Sequence, residues 1–360
     1  MKSITRWGQA KATALFVLLF VVCTGTVAKA EPLSNAVILI YHHVAKDTPA
    51  STSVTPDTFK KHMAFLDENY NVLSLKEVMP SLKAGEALPD RTVVITFDDG
   101  FANILENAHP VLREYGFPYT VFINPGEIGS NPSQLTWQQV QKMQEEGAIF
   151  ANHTLNHMHM LEKSAEERDD AWLVRVWDNV AQAEEKLKEK TGESLKYLAY
   201  PFGEFNQALA DKVTQEGYTG FAQHSGAVGP HSNFAALPRF PAAGIYADLD
   251  KLKIKLDSLA MPLDENSGLP PQRSSREIET PLTLNITSDD VRLSQAACYY
   301  QGSALPVEVS GMTLTAELDM TLPVGRSRIN CTAPSKAHSG RYYWYSQPFF
   351  IADKNGRYPD

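Results

Sequence analysis

Cysteine is scarce in this sequence, at three residues in 360, which excludes a multi-cysteine metal cluster and a disulfide-stapled miniature fold. Long apolar runs are missing as well. A spanning helix needs about 20 apolar residues, and the most apolar stretch, residues 12–22, falls well short of that. There is no basic excess: 33 Lys and Arg against 42 Asp and Glu give a formal charge of −9. No general cationic surface is therefore offered to a phosphate backbone, and nucleic acid is excluded as a partner. Internal repeats are absent too. What is present is ordinary for a soluble globular protein, with 43% hydrophobic and 21% charged residues, and the length suits one large domain followed by a small one.

The first 30 residues read as a signal peptide. Lys2, Arg6 and Lys11 precede the apolar stretch, and Ala28-Lys29-Ala30 then supplies a small-x-small cleavage site ahead of Glu31. Export to the periplasm or the extracellular space is expected, with no stable membrane insertion once the leader is removed. Cys23 does not mark a lipoprotein, because Val22 stands where a small residue is required. The mature chain keeps only Cys298 and Cys331, an even pair expected to form a disulfide in an oxidising compartment.

Along residues 31–260 short apolar runs alternate with amphipathic stretches, the pattern of an α/β domain. Ala36 to Tyr41, Thr92 to Phe97, Tyr119 to Ile123, 148–151, 197–200 and 220–222 read as buried strands; 56–68, 102–115, 137–146, 165–190 and 206–216 read as helices. Repetition of this unit implies a parallel barrel. Residues 261–281, rich in Pro, Ser and charge, read as a linker. From 282 to 360 short alternating runs separated by turn residues suggest a small all-β, sandwich-like accessory domain. Its Tyr342-Tyr343-Trp344-Tyr345 run suits strand packing better than stacking on sugar rings.

Two features carry chemistry. The strand ending at Phe97 runs directly into Asp98-Asp99-Gly100, and the carboxyl ends of strands are where parallel barrels place catalytic groups. On its own such a pair is more often a turn or a helix cap. The second feature is Asn152-His153-Thr154-Leu155-Asn156-His157, whose two imidazoles can converge on one cation if the segment coils. Joined to a carboxylate they make a two-histidine, one-carboxylate set, suited to zinc first and also accommodating cobalt, nickel or iron. Two aspartates then have separate uses: one ligates, and the other stays free to accept a proton from water activated by the metal.

Thr96-Phe97-Asp98-Asp99-Gly100, the His153/His157 pair and Tyr200-Pro201-Phe202-Gly203 together resemble the polysaccharide deacetylases, carbohydrate esterase family 4. The resemblance covers roughly residues 38–240 and implies a distorted parallel (β/α) barrel that hydrolyses N-acetyl groups of a glycan. It implies Asp98 as the base, Asp99, His153 and His157 as the metal ligands, and the backbone N–H of Phe202 as a donor to the developing oxyanion. Two departures stand out. Ala199 occupies the place of the arginine that orients the base in that family, and the late Leu-x-His that supplies the general acid is missing. Instead Tyr41-His42-His43 sits at the end of the first strand, as in the branch that includes biofilm poly-N-acetylglucosamine deacetylases. That points to His42 as general acid, with His43 and His224 as its rivals.

The resulting expectation is a metal-dependent enzyme acting on N-acetylglucosamine units of a surface or cell-wall polysaccharide. O-deacetylation by the same site, sugar binding without turnover, and glycoside hydrolysis are the competing readings; adjacent aspartates with paired histidines suit the last poorly.

Overall fold

The structure, a computed structural model, describes residues 33–164 and 166–359; the expected signal peptide lies outside the described residues. Seven strands form the main sheet: β1 (Ala36–Tyr41), β2 (Thr92–Phe97), β3 (Tyr119–Ile123), β4 (Ile149–Asn152), β5 (Tyr197–Ala199), β6 (Thr219–Phe221) and β7 (Phe240–Pro241). They lie side by side in the order β7-β1-β2-β3-β4-β5-β6, with the two-residue strand Asn71–Val72 added beside β2. The pairings are all parallel. Leu237, just ahead of β7, bridges back to Phe221, so the sheet curls nearly shut into a distorted barrel.

Side-chain alternation divides each strand between two cores. Ala36, Ile38, Val94, Phe122, Ala151, Ala199 and Phe221 gather in one cluster, together with Leu75, Val78, Met79 and Leu82 of the helix Leu75–Ala84. The intervening residues Val37, Leu39, Tyr41, Val93, Ile95 and Phe97 pack outward against the helices Pro56–Asn69 and His109–Tyr115. The Leu75–Ala84 helix is not among the helices expected above, although Leu75, Val78, Met79 and Leu82 keep the helical period; it accommodates Pro80 within it. Its ends are nevertheless well specified, by a Ser74/Glu77 capping box and a left-handed Gly85. Residues 102–115, expected as one helix, divide into a π-helical turn, Ile104–Ala108, followed by His109–Tyr115.

The C-terminal part is an all-β region over its own apolar cluster. Its longest strands, Gly325–Pro334 and Tyr342–Ile351, pair antiparallel along their whole length. Cys298 and Cys331 face each other on paired strands and form the expected disulfide. The stretch 261–281 carries two short strands, and one of them, Gln272–Arg273, pairs with Phe350 and Ile351. In the aromatic run, Tyr343 donates to Asp290 Oδ2 at 2.7 Å and Trp344 packs edge-on against Phe240. No helix among the described residues is long and apolar enough to cross a membrane.

Candidate active site

The strand alternation that builds the barrel also aims the candidate groups. Asp98 continues the inward-facing series Val94–Thr96, and it is fully buried. His153 likewise follows Ala151 inward and is fully buried. His42 stands one residue beyond the Tyr41/Phe97 pairing, level with Asp98, whose N–H donates to the Tyr41 carbonyl at 3.0 Å.

At Asp99 the chain turns abruptly, with φ of 72°, and Gly100 follows at 71°. A Cβ at Gly100 would lie 2.8 Å from Ile123 Cγ2, so only glycine lets the turn pack against β3. Among the described residues seven non-glycine residues have positive φ, and four of them belong to this site: Asp99, Thr154, His157 and Phe202. Such concentration is expected where function over-determines the backbone.

Asp99 Oδ1 lies 3.2 Å from His153 Nε2 and 3.3 Å from His157 Nε2. One ligand atom from each of the three residues falls within 4.8 Å of the others. The His153 Nδ1–H donates to the Ala199 carbonyl at 2.8 Å, which fixes the tautomer and leaves the Nε2 lone pair facing Asp99. Asp99 Oδ1 and His153 Nε2 are buried without a hydrogen-bond partner. A divalent ion at their meeting point would satisfy both, so the donor set fits a metal such as zinc.

Asp98 is engaged differently. Its two oxygens receive Arg239 Nη1 and Nη2, each at 2.7 Å. Arg239 is itself fully buried, donates from Nε to the Ala222 carbonyl at 2.9 Å and lies over the Phe122 ring. Burial pushes the Asp98 carboxyl up, but Arg239, His153 and His42 together outweigh it and hold the group below the usual carboxylate value. At neutral pH Asp98 is ionised. The Asp98 carboxylate is thus paired with an arginine although Ala199 stands at the family's usual arginine position. Arg239 is not among the residues that the motifs single out, yet a signal for it exists: a lone charge within Ala235-Ala236-Leu237-Pro238-Arg239-Phe240 needs a buried partner.

The three candidate acids have different surroundings. His42 is near enough to Asp99 and Asp98 for both to favour its proton, although burial dominates and holds its pKa below the ordinary value. His43 stacks on Phe101 at 3.7 Å and accepts from Asn103 Nδ2 at 2.9 Å. His224 is pushed down to about 3 by burial and by the nearby Arg328 and Arg239. It lines a cavity of about 1120 Å³ between the barrel and the β-rich region, and Asp98, Asp99, His42, His153 and His157 are not part of that lining.

Phe202 adopts φ 57° and ψ 2° within the turn Pro201–Gly203. Its ring lies flat on His159, with 3.8 Å between centroids, and edge-on to His157. Among the described residues its N–H has no hydrogen-bond acceptor. Glu204 meets His159 at 3.0 Å. Asn206 caps the helix Gln207–Gln215.

Comparison with known proteins places the chain among deacetylases of this fold. The family described as polysaccharide deacetylase matches residues 85–221, a span that holds Asp98, Asp99, His153, His157 and Phe202 but not His42 or Arg239. The poly-β-1,6-N-acetyl-D-glucosamine N-deacetylase of Staphylococcus aureus is 30% identical over 224 residues, covering 59% of this chain and 74% of its own. Among solved structures, the Streptococcus pyogenes deacetylase PplD in complex with acetate superposes with a TM-score of 0.55 at 23% identity, over 62% of this chain and 99% of that one. IcaB from Ammonifex degensii gives 0.55 at 19%, over 62% and 98%. At these identities the two structures speak for the fold.

Proposed function

The chain belongs to the polysaccharide deacetylase family of hydrolases, and from that premise we propose that it removes N-acetyl groups from N-acetylglucosamine units of a surface or cell-wall polysaccharide. The observation that carries the reading is the division of labour between adjacent aspartates. Asp99 faces two histidines and Asp98 faces an arginine.

Asp99, His153 and His157 would hold the metal. A divalent ion bound there, zinc first by this nitrogen and oxygen donor set, supplies a lowered water pKa and polarises the acetyl carbonyl. Asp98, ionised and fixed in orientation by Arg239, accepts the proton of the attacking water. The unpaired Phe202 N–H donates to the oxygen that becomes negative as the tetrahedral centre forms. His42, beside both aspartates, delivers a proton to the departing amine; amide cleavage requires it, because an unprotonated amide anion is a very poor leaving group. His43, turned onto Phe101, and His224, lining the separate cavity beside the β-rich region, are poorly placed for that step. Residues 1–30 direct export, and the Cys298–Cys331 disulfide suits the oxidising compartment so reached.

The test is acetate release from β-1,6-linked N-acetylglucosamine oligomers by metal-stripped and reloaded protein, beside Asp98→Asn. Metal-dependent release that disappears in the variant is expected. No release from several N-acetylated glycans by metal-loaded protein would overturn the proposal.

A further inference from the structure

The Phe202 turn is gripped from outside the barrel. Arg326, on the strand Gly325–Pro334 of the β-rich region, donates from Nη1 to the Phe202 carbonyl at 2.6 Å and to Gln223 Oε1 at 3.1 Å. We infer that Arg326 is a positioning residue for the hydrolysis, locking the strained Phe202 peptide in the orientation that presents its N–H to the substrate's oxyanion. This inference rests on the proposed role of that N–H.

The argument starts from conformation. A side chain at φ 57° is unfavourable, and a non-glycine residue stays there only when its neighbours demand it. Four contacts do so within the barrel: Gly203 N–H donates to the Tyr200 carbonyl at 2.9 Å, Glu204 N–H donates to the Pro201 carbonyl at 3.2 Å, His159 stacks on the Phe202 ring, and His157 packs edge-on against it. None of them holds the Phe202 carbonyl. If φ and ψ of Phe202 relaxed toward the right-handed region, that carbonyl would swing away and the N–H would turn with the adjoining peptide.

Arg326 opposes this motion with a charge-assisted bond, the stronger kind. The same guanidinium nitrogen also reaches Gln223, and Gln223 is the residue against which the turn is packed. A Cβ at Gly203 would lie 2.7 Å from Gln223 Cβ and 2.8 Å from Gln223 N. One arginine therefore ties the turn to the wall behind it. Arg326 is an exposed side chain on a strand whose backbone pairs with Phe350, and the thermal midpoint of each variant checks that the fold is kept.

The experiment uses the full-length, metal-loaded protein and its Arg326→Ala and Arg326→Lys variants. It measures kcat and KM for N-acetylglucosamine oligomers, bound metal, and deuterium uptake across residues 200–205. Loss of a whole oxyanion donor costs about 100- to 1000-fold in kcat. Loosening one should cost roughly 10- to 100-fold, and Arg326→Ala is expected to show this with KM and metal content unchanged and faster uptake in the turn. Arg326→Lys, which keeps one cationic donor, should recover part of both. Unchanged uptake would overturn the inference, as would a loss confined to KM, which would make Arg326 a substrate contact. Faster uptake with unaltered kcat would keep the anchor but sink the oxyanion role of Phe202. If the parent releases no acetate, the proposed activity fails, while uptake still reports on the anchor.

Discussion

Arg239 grips both carboxylate oxygens of Asp98 at 2.7 Å, and neither side chain is exposed to solvent. A buried carboxylate is normally driven toward its neutral form. Here the guanidinium reverses that tendency.

Replacement of Arg239 by alanine should therefore raise the Asp98 pKa, because burial would no longer be opposed by its nearest cation. A base that needs a higher pH to ionise shifts the acidic limb of the kcat/KM profile upward. Activity at neutral pH should fall about 100-fold or more, with partial recovery in alkaline buffer. Stability should drop by about 3–5 kcal/mol, the cost of stranding one member of a buried ion pair. An unmoved acidic limb would argue against Asp98 as the base.

Removal of either imidazole from the Asp99–His153–His157 group should release the metal. His153→Ala and His157→Ala are expected to lose zinc on dialysis, measured by atomic absorption, along with acetate release. Asp98→Asn should keep the metal and lose the activity. A full metal complement in both histidine variants would rule out the ligand assignment.

His42→Ala should separate two substrates. Amide hydrolysis needs a proton on the leaving nitrogen, whereas an activated acetate ester does not. The expected result is a fall of about 100-fold on N-acetylglucosamine oligomers and a much smaller fall on a nitrophenyl acetate. Equal losses would remove His42 from the acid's role.

Acid should weaken the fold through histidines that are buried neutral. Burial lowers the pKa of His62, whose Nδ1 accepts from Tyr41 and whose Nε2–H donates to the Ala247 carbonyl. His224 falls further, from 6.5 to about 3. Groups with depressed folded pKa values bind more protons when unfolded. Their contribution to stability is present above about 6.5 and is lost as the pH falls toward the folded values. In metal-free protein the thermal midpoint should decline over that window, and His224→Gln should flatten the decline. An identical slope in the variant would place the acid sensitivity elsewhere.

Reduction of Cys298–Cys331, which closes a separation of 33 residues, should cost about 3–4 kcal/mol by loop-closure entropy. Urea denaturation of the Cys298→Ser, Cys331→Ser double variant tests this. An unchanged midpoint would mean that the antiparallel pairing of the strands suffices without it.

Much of the candidate site was legible because it is local. Thr92–Phe97 is a continuous apolar run, so Asp98-Asp99-Gly100 had to fall at a strand end. His153 and His157 lie within one short loop after Ile149–Asn152, and the disulfide followed from the cysteine count. Arg239 was not legible in the same way, because 141 positions separate it from Asp98. Arg326 was no more legible, 124 positions from the Phe202 it touches and on a region read as accessory.

The sequence by itself determined the alternation of strands and helices, the pair of aspartates and the pair of histidines, since each depends on side-chain period or on neighbours within a few residues. Only the tertiary structure decided which partner each aspartate takes. Closure of the barrel through Leu237 and Phe221 brings β7 beside β1 and delivers Arg239 to the interior. Pairing of the C-terminal strands carries Arg326 to the Phe202 turn. Such meetings arise from strand order and register, which no local pattern of residues encodes.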